Sequence, residues 1–219
     1  MSKIILGYWY FRGLGEPIRY LLHYKNVKFV DKRYQFDGTW QKEKFSLGLD
    51  FPNLPYYFED NLKLTQSLTI LRYLAKKHNL EGKTEEEQLR ASLVEQQITD
   101  FATVFFRDVV YAKSNDSPKE FLKNAPGLLK PFSEFLGERN FFAGDEITYV
   151  DFLVYDNFDF PSLFSKTILD AFPNLKAFQD RIRNLPELQE YLNSSAYIKW
   201  PICGPPDACT WGGSGEMPN

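Results

Sequence analysis

Few side chains in this sequence combine a reactive type with a telling position. Tyr8 is one: it stands at the C-terminal end of residues 3–8, Lys-Ile-Ile-Leu-Gly-Tyr, which read as a short strand. The turn Arg12-Gly13-Leu14-Gly15-Glu16-Pro17 follows, and Pro17 suits the first turn of a helix. In α/β sheets ligands gather at the carboxyl ends of parallel strands and near helix N-termini, so the Tyr8 hydroxyl sits where a ligand would. Taken alone, a tyrosine on a strand reads as core, and so do Trp9 and Trp40. A second feature is Phe51-Pro52-Asn53-Leu54-Pro55-Tyr56, a strand that begins at a proline and keeps a backbone edge free for pairing. A third is Gln66-Ser67 at the start of a helix. Its amides and side chains could hold a carboxylate, or simply cap the helix.

Other chemistries have no apparatus. The sequence lacks GxGxxG, Walker, HExxH, GxSxG and CxxC patterns. With only two histidines, His23 and His78, a multi-histidine metal centre is excluded, and no metal site is expected. The only cysteines, Cys203 and Cys209, lie near the end of the chain, which suits a reducing cytoplasm rather than a disulfide framework. The 26 basic and 29 acidic residues are well mixed, so no basic stripe serves nucleic acid. No apolar run is long enough to span a membrane, and the start, MSKIILGYWY, is expected to carry no secretory core.

These residues need a scaffold, and its outline is readable. Leu21 and Leu22 follow Ile18 at helical spacing, and residues 27–34 alternate as a second strand, which makes a strand–helix–strand unit. Glu59-Asp60-Asn61 reads as a hairpin turn, and Leu68, Leu71 and Leu74 mark a helix ending near His78. After residue 84 no strand signal remains. Val94, Ile98, Phe101, Phe105 and Val109 form a long helical stripe. Ser117-Pro118-Lys119-Glu120 and Thr148-Tyr149-Val150-Asp151 both read as capping boxes, with Ile147 and Phe152 placed as a hydrophobic staple around the second. Pro126 and Pro131 should bend the helix that contains them. The expected architecture is an α/β domain over residues 1–82, then an all-helical domain over 88–219 whose stretch 204–219 is irregular.

Together the segments Ile5-Leu6-Gly7-Tyr8-Trp9, Arg12-Gly13-Leu14, Glu16-Pro17-Ile18-Arg19, residues 47–56, Leu64-Thr65-Gln66-Ser67 and residues 148–152 closely resemble the cytosolic glutathione S-transferases of the mu class. The resemblance runs from about residue 4 to about 200. It implies a thioredoxin-like N-terminal domain that binds glutathione as co-substrate, with no prosthetic group. It also implies a helical-bundle C-terminal domain that receives a hydrophobic electrophile, and a cytoplasmic homodimer acting in detoxification. Tyr8 matches the catalytic tyrosine that favours the glutathione thiolate. Trp9, Leu14, Trp40 and Lys44 match glutathione-holding residues, the last two at its glycyl end. Asn53, Leu54 and Pro55 match the segment whose backbone faces the cysteinyl part, Pro55 being the family's cis-proline. Gln66 and Ser67 match the γ-glutamyl carboxylate site, and Asp100 matches a residue reaching it from the partner subunit. Phe51 resembles the aromatic key that enters the neighbouring subunit, and Arg72 lies in the dimer-contact helix. Thr148 and Asp151 match a folding motif.

Three departures stand out. Only five residues separate Tyr34 from Trp40, where mu enzymes carry a longer loop with a glutathione-contacting arginine. The family often has a tyrosine one position before Tyr111, where this chain has Val110. Residues 204–219 do not resemble the family's end. The electrophile site is expected to comprise Phe11, Leu14, Thr103, Phe106, Val110 and Tyr111. Two other functions stay open: a non-catalytic apolar-ligand carrier or crystallin-like protein, and a glutathione-dependent isomerase. Tyr8, Trp40, Lys44, Gln66, Ser67 and Asp100 together favour the enzyme.

Overall fold

The computed structural model describes residues 3–218; residues 1–2 and 219, the outer ends of the two expected domains, lie outside the described residues. Strand β1 (Ile5–Trp9) pairs in parallel with β2 (Val30–Tyr34), with Ile5 opposite Val30 and Trp9 opposite Tyr34. Helix α1 (Glu16–Tyr24) connects them. On its other edge β1 pairs antiparallel with β3 (Tyr56–Glu59), which turns at Asp60-Asn61 into β4 (Leu62–Thr65). The sheet order is β2-β1-β3-β4. The second strand starts later than the alternation of residues 27–34 suggests. Asn26 turns the chain at φ 49° and Val27 N–H bonds back to Leu22 O, so pairing with β1 begins only at Val30. A five-residue helix, α2 (Thr39–Glu43), was not foreseen; it follows Gly38 at φ 85° and carries the buried Trp40.

Helix α3 (Ser67–Lys77) closes this half. Beyond it come α4 (Glu85–Phe105), α5 (Ser117–Leu136), α6 (Tyr149–Phe164), α7 (Pro173–Arg183) and α8 (Pro186–Leu192). Thr84 caps α4 reciprocally with Glu87: the hydroxyl accepts from Glu87 N–H at 3.1 Å, and the carboxylate accepts from Thr84 N–H at 3.1 Å. At the expected box on α6, Asp151 accepts from the Thr148 amide at 2.7 Å, from its hydroxyl at 3.0 Å, and from the Phe142 amide at 2.9 Å. The box expected at Ser117 is absent. Asp116 occupies the cap position and its carbonyl takes the Glu120 N–H at 3.0 Å, which leaves the Ser117 hydroxyl without that donor. Helix α5 runs on through Pro126 and Pro131.

One core cluster joins both halves, with Leu6, Ile18, Leu22, Tyr57 and Ile70 on one side and Ile98, Phe101, Val154 and Phe158 on the other. At ~1.5–3 kcal/mol per buried large apolar side chain, this shared core holds the halves together. A satellite cluster of Tyr8, Phe11, Tyr34, Trp40, Leu49, Leu54 and Tyr56 lies at the carboxyl end of β1. No described helix is long and apolar enough to cross a membrane.

Candidate active site

The end of β1 delivers Tyr8 into this satellite cluster, and the turn after it wraps around the phenol. Tyr8 is only 4% exposed. Its hydroxyl accepts a hydrogen bond from Leu14 N–H at 2.9 Å, within the 3-10 turn Gly13–Gly15. The two glycines make the approach feasible. A Cβ at Gly15 would lie 2.5 Å from Tyr8 Cδ1, and one at Gly13, whose φ is +41°, would lie 2.5 Å from the hydroxyl. Phe11 packs edge-on at 5.4 Å between centroids.

Charge around the phenol is fixed by buried ion pairs. The Arg19 guanidinium lies 5.9 Å from the Tyr8 ring centre and is itself held by Glu16 at 3.0 Å and Asp31 at 3.0 Å. Arg12, in the same turn, reaches Asp156 at 2.5 Å and Asp159 at 2.6 Å, which fastens the turn to α6. Burial pushes the Tyr8 phenol well above its ordinary value, against the opposing pull of the Leu14 amide and the Arg19 charge. Tyr8 therefore keeps its proton at neutral pH. An O–H whose oxygen already accepts a bond is polarised as a donor.

Beside Tyr8 opens a cavity of ≈ 560 Å³ between the two halves. From the first half Tyr8, Trp9, Phe11, Leu14, Asn53, Leu54 and Ser67 line it. Thr103, Phe106, Tyr111 and Phe160 face them from the second, and residues 202–204 form a further wall. Ten of the expected site residues thus share one space. The others stand apart. Trp40 is buried against Tyr34 at 5.4 Å, and Lys44, just past α2, holds its Nζ 4.7 Å from the Phe45 ring. Gln66 is exposed at φ 69° immediately before α3, Leu54-Pro55 is cis, and Asp100 is exposed on α4. Phe51 is 72% exposed, whereas Arg72 bonds the buried Glu95 across to α4 through both Nε, at 2.7 Å, and Nη2.

Val110 departs from expectation: it is fully buried and does not line the cavity, and Tyr111 takes that place. The cause is a π-helical turn, Phe106–Val110, at the end of α4. Its Tyr111 N–H bonds Phe106 O at 2.7 Å, five residues back instead of four. The wider turn brings residue 111 rather than 110 over residue 106, and the two rings lie 6.2 Å apart. Sequence reasoning also missed the space-making role of Gly13 and Gly15, although their spacing directly after a strand-end tyrosine was a usable signal. It missed Phe36 as well. The short loop after β2 sets this ring against Trp9 at 4.6 Å and Phe11 at 6.1 Å, two residues that line the cavity.

Comparison with known proteins gives a consistent picture. Residues 5–76 match the family model for the glutathione S-transferase N-terminal domain, and residues 98–195 match that for the C-terminal domain. Glutathione S-transferase Mu 1 of Mus musculus is 48% identical over 206 residues, covering 91% of this chain and 94% of its own. The Mu 1 enzyme of Bos taurus is 47% identical over 207 residues, with the same coverage of both chains. Among solved structures, the glutathione S-transferase Blo t 8 superposes with a TM-score of 0.87 at 32% identity, covering 95% of this chain and 99% of its own.

Proposed function

Because this chain belongs to the glutathione S-transferase family, with mu-class relatives, and is an enzyme that conjugates glutathione, we propose that Tyr8 is its catalytic residue and that the cavity beside it takes the electrophile. One observation carries the assignment: a buried, protonated phenol, with its oxygen bonded by Leu14 N–H, lines the cavity shared by the two halves. The Tyr8 O–H donates to the glutathione sulfur and favours its ionised form. A free thiol of this kind titrates near ~8.5, and lowering it by about two units requires ~2.7 kcal/mol. A hydrogen bond to a charged group supplies roughly 1.5–3 kcal/mol. The phenol loses no proton in this role. The thiol proton leaves to solvent, and the sulfur attacks an electrophilic carbon held against Phe106, Tyr111 and Phe11, forming the carbon–sulfur bond as the leaving group departs, halide in the case of an aryl halide.

In this reading residues 1–82 hold glutathione and residues 88–219 supply most of the electrophile wall. Trp9, Leu14, Asn53, Leu54 and Ser67 take the peptide inside the cavity. Trp40, Lys44 and Gln66 grip its ends from outside, and Asp100 comes from a partner subunit. Phe51, a large ring left 72% exposed, is the key of a homodimer, with Arg72 beside the interface. The apolar lining selects hydrophobic electrophiles, which is the chemistry of detoxification. The thiols of Cys203 and Cys209 suit the cytoplasm.

The test is Tyr8→Phe. Retention on glutathione-agarose and the fold should survive, while aryl-halide turnover falls ~10- to 150-fold, the equivalent of the hydrogen bond to the thiolate. Turnover at the wild-type rate in a folded variant removes Tyr8 from the mechanism.

A further inference from the structure

The segment that follows α8 is knitted into the site. Gly13 N–H donates to Ile202 O at 3.0 Å and Arg12 N–H to Pro201 O at 3.2 Å, so it backs the turn that cradles Tyr8. Residues 202–204 line the cavity, and the Tyr111 hydroxyl donates to Gly204 O at 3.3 Å. A few residues later Thr210 N–H donates to Val110 O at 2.7 Å, which braces the π-helical turn that presents Tyr111. Between Ile202 and Thr210 lie Cys203 and Cys209. Both are free thiols, with their Sγ atoms 2.8 Å apart. Cys203 is buried at the cavity wall, and Cys209 is partly exposed, its thiol donating to Pro205 O at 3.3 Å.

We propose that Cys203 and Cys209 form a redox site: glutathione disulfide oxidises them to an intramolecular disulfide, which ties the cavity wall at residues 202–204 to the brace behind Tyr111. Cys209 is the accessible attacking group. Its thiol gives a proton to solvent and the sulfur attacks one sulfur of glutathione disulfide, forming a Cys209–glutathione bond and breaking the glutathione S–S bond. The departing glutathione thiolate takes up a proton. Cys203 then loses its proton to solvent and attacks the Cys209 sulfur, releasing the second glutathione as thiolate, which is protonated in turn. Two electrons pass from the protein dithiol to glutathione disulfide, giving one protein disulfide and two molecules of glutathione. Burial, with the neighbouring Cys209, pushes the Cys203 thiol up, which fits its second place in the sequence. The bond requires a small approach of two side chains that already face each other.

The experiment incubates the full chain with glutathione disulfide in thiol-free buffer, followed by non-reducing peptide mapping. The wild type should lose the mass of two hydrogen atoms in a peptide linking residues 203 and 209. Cys203→Ser should instead accumulate one glutathionyl group on Cys209, while Cys209→Ser should stay unmodified at Cys203. Free thiols at both positions of the wild type overturn the proposal, as does a disulfide between two chains. The effect on the cavity is read by an anilinonaphthalene fluorophore in the same buffer. Its dissociation constant should change several-fold on oxidation of the wild type and stay fixed in the Cys203→Ser/Cys209→Ser double variant. A disulfide that forms with fluorophore binding unchanged overturns the link to the cavity wall. Tyr8 takes no part in the exchange, so Tyr8→Phe should oxidise as the wild type does, which separates failure here from failure of the conjugation reading.

Discussion

Gly15→Ala tests how tightly the turn positions the phenol. Gly15 has φ −83° and ψ −25°, a conformation open to alanine, so the backbone itself resists nothing. The new Cβ would stand 2.5 Å from Tyr8 Cδ1, 2.9 Å from Cγ and 3.2 Å from Cβ. Ordinary carbon contacts lie at ≈ 3.5–4.0 Å, so the ring must retreat by about 1 Å. The hydroxyl, farther from the pivot at Cα, moves further and leaves the Leu14 amide, now 2.9 Å away. Misplacement of a reacting group by ~1 Å costs on the order of 10²-fold in rate, or ~2.7 kcal/mol of barrier. Overpacking also destabilises by ~1–3 kcal/mol, at about 2–4 °C of melting temperature per kcal/mol for a chain of this length. Gly127→Ala is the control: Gly127 lies within α5, with nothing within 4 Å of its would-be Cβ. It should gain ~0.5–1 kcal/mol with unchanged turnover. The assay is aryl-halide kcat alongside thermal unfolding. Wild-type kcat in Gly15→Ala would refute the claim that the glycine turn sets the phenol's position.

Burial holds the Asp151 carboxyl up at about 6 despite its three donors, whereas it titrates near ~3.9 in an unfolded chain. A carboxyl raised in this way favours folding most when protonated. Its contribution is complete below about pH 4 and is lost as the pH rises through 6. Asp151→Asn should abolish that slope, so denaturant titrations should show wild-type stability falling relative to the variant by roughly 3 kcal/mol between pH 4 and 7; a constant difference rejects the reasoning. Phe51→Ala removes two rings from a symmetric dimer at ~1.5–3 kcal/mol each, and sedimentation should show the dimer weakened at least about 10²-fold; a monomeric wild type would end the dimer reading. Tyr111→Ala opens the cavity wall and should raise KM for an aryl halide while leaving KM for glutathione unchanged; equal rises in both would mean that Tyr111 supports the whole site.

What the sequence made legible is local and periodic. The end of β1, the proline-led start of α1, the hairpin at Asp60-Asn61 and the box at Thr148 each follow from residues adjacent in the chain. The misses have a different origin. Ser117 and Glu120 have the spacing of a box, but the Asp116 carbonyl captures the amide that the Ser117 hydroxyl needed. The box at Thr84 is hidden in the sequence because three consecutive glutamates follow it, and nothing marks Glu87 as the one that bonds back to the cap. Helix α2 spans barely one turn around a single tryptophan and leaves no period to detect. The exchange of Val110 for Tyr111 depends on one five-residue turn that no apolar stripe reveals, since Val109 and Val110 are both buried. The tail's share of the site depends on contacts across nearly two hundred positions, such as Gly13 with Ile202.

Arg12 belongs by sequence to the sheet half, yet both of its carboxylate partners are on α6. Severing the chain near residue 82 would take away Asp156, Asp159 and the Phe160 and Tyr197 rings that surround the Arg12 guanidinium, and so free the turn from its anchor; within the intact chain, removing Asp156 alone leaves the charge buried and unpaired, at a penalty of ~3–5 kcal/mol. The loop that grips the phenol is therefore common property of two modules. A graft of either module onto a foreign counterpart inherits a working pocket only if it brings the matching charge on the opposite side.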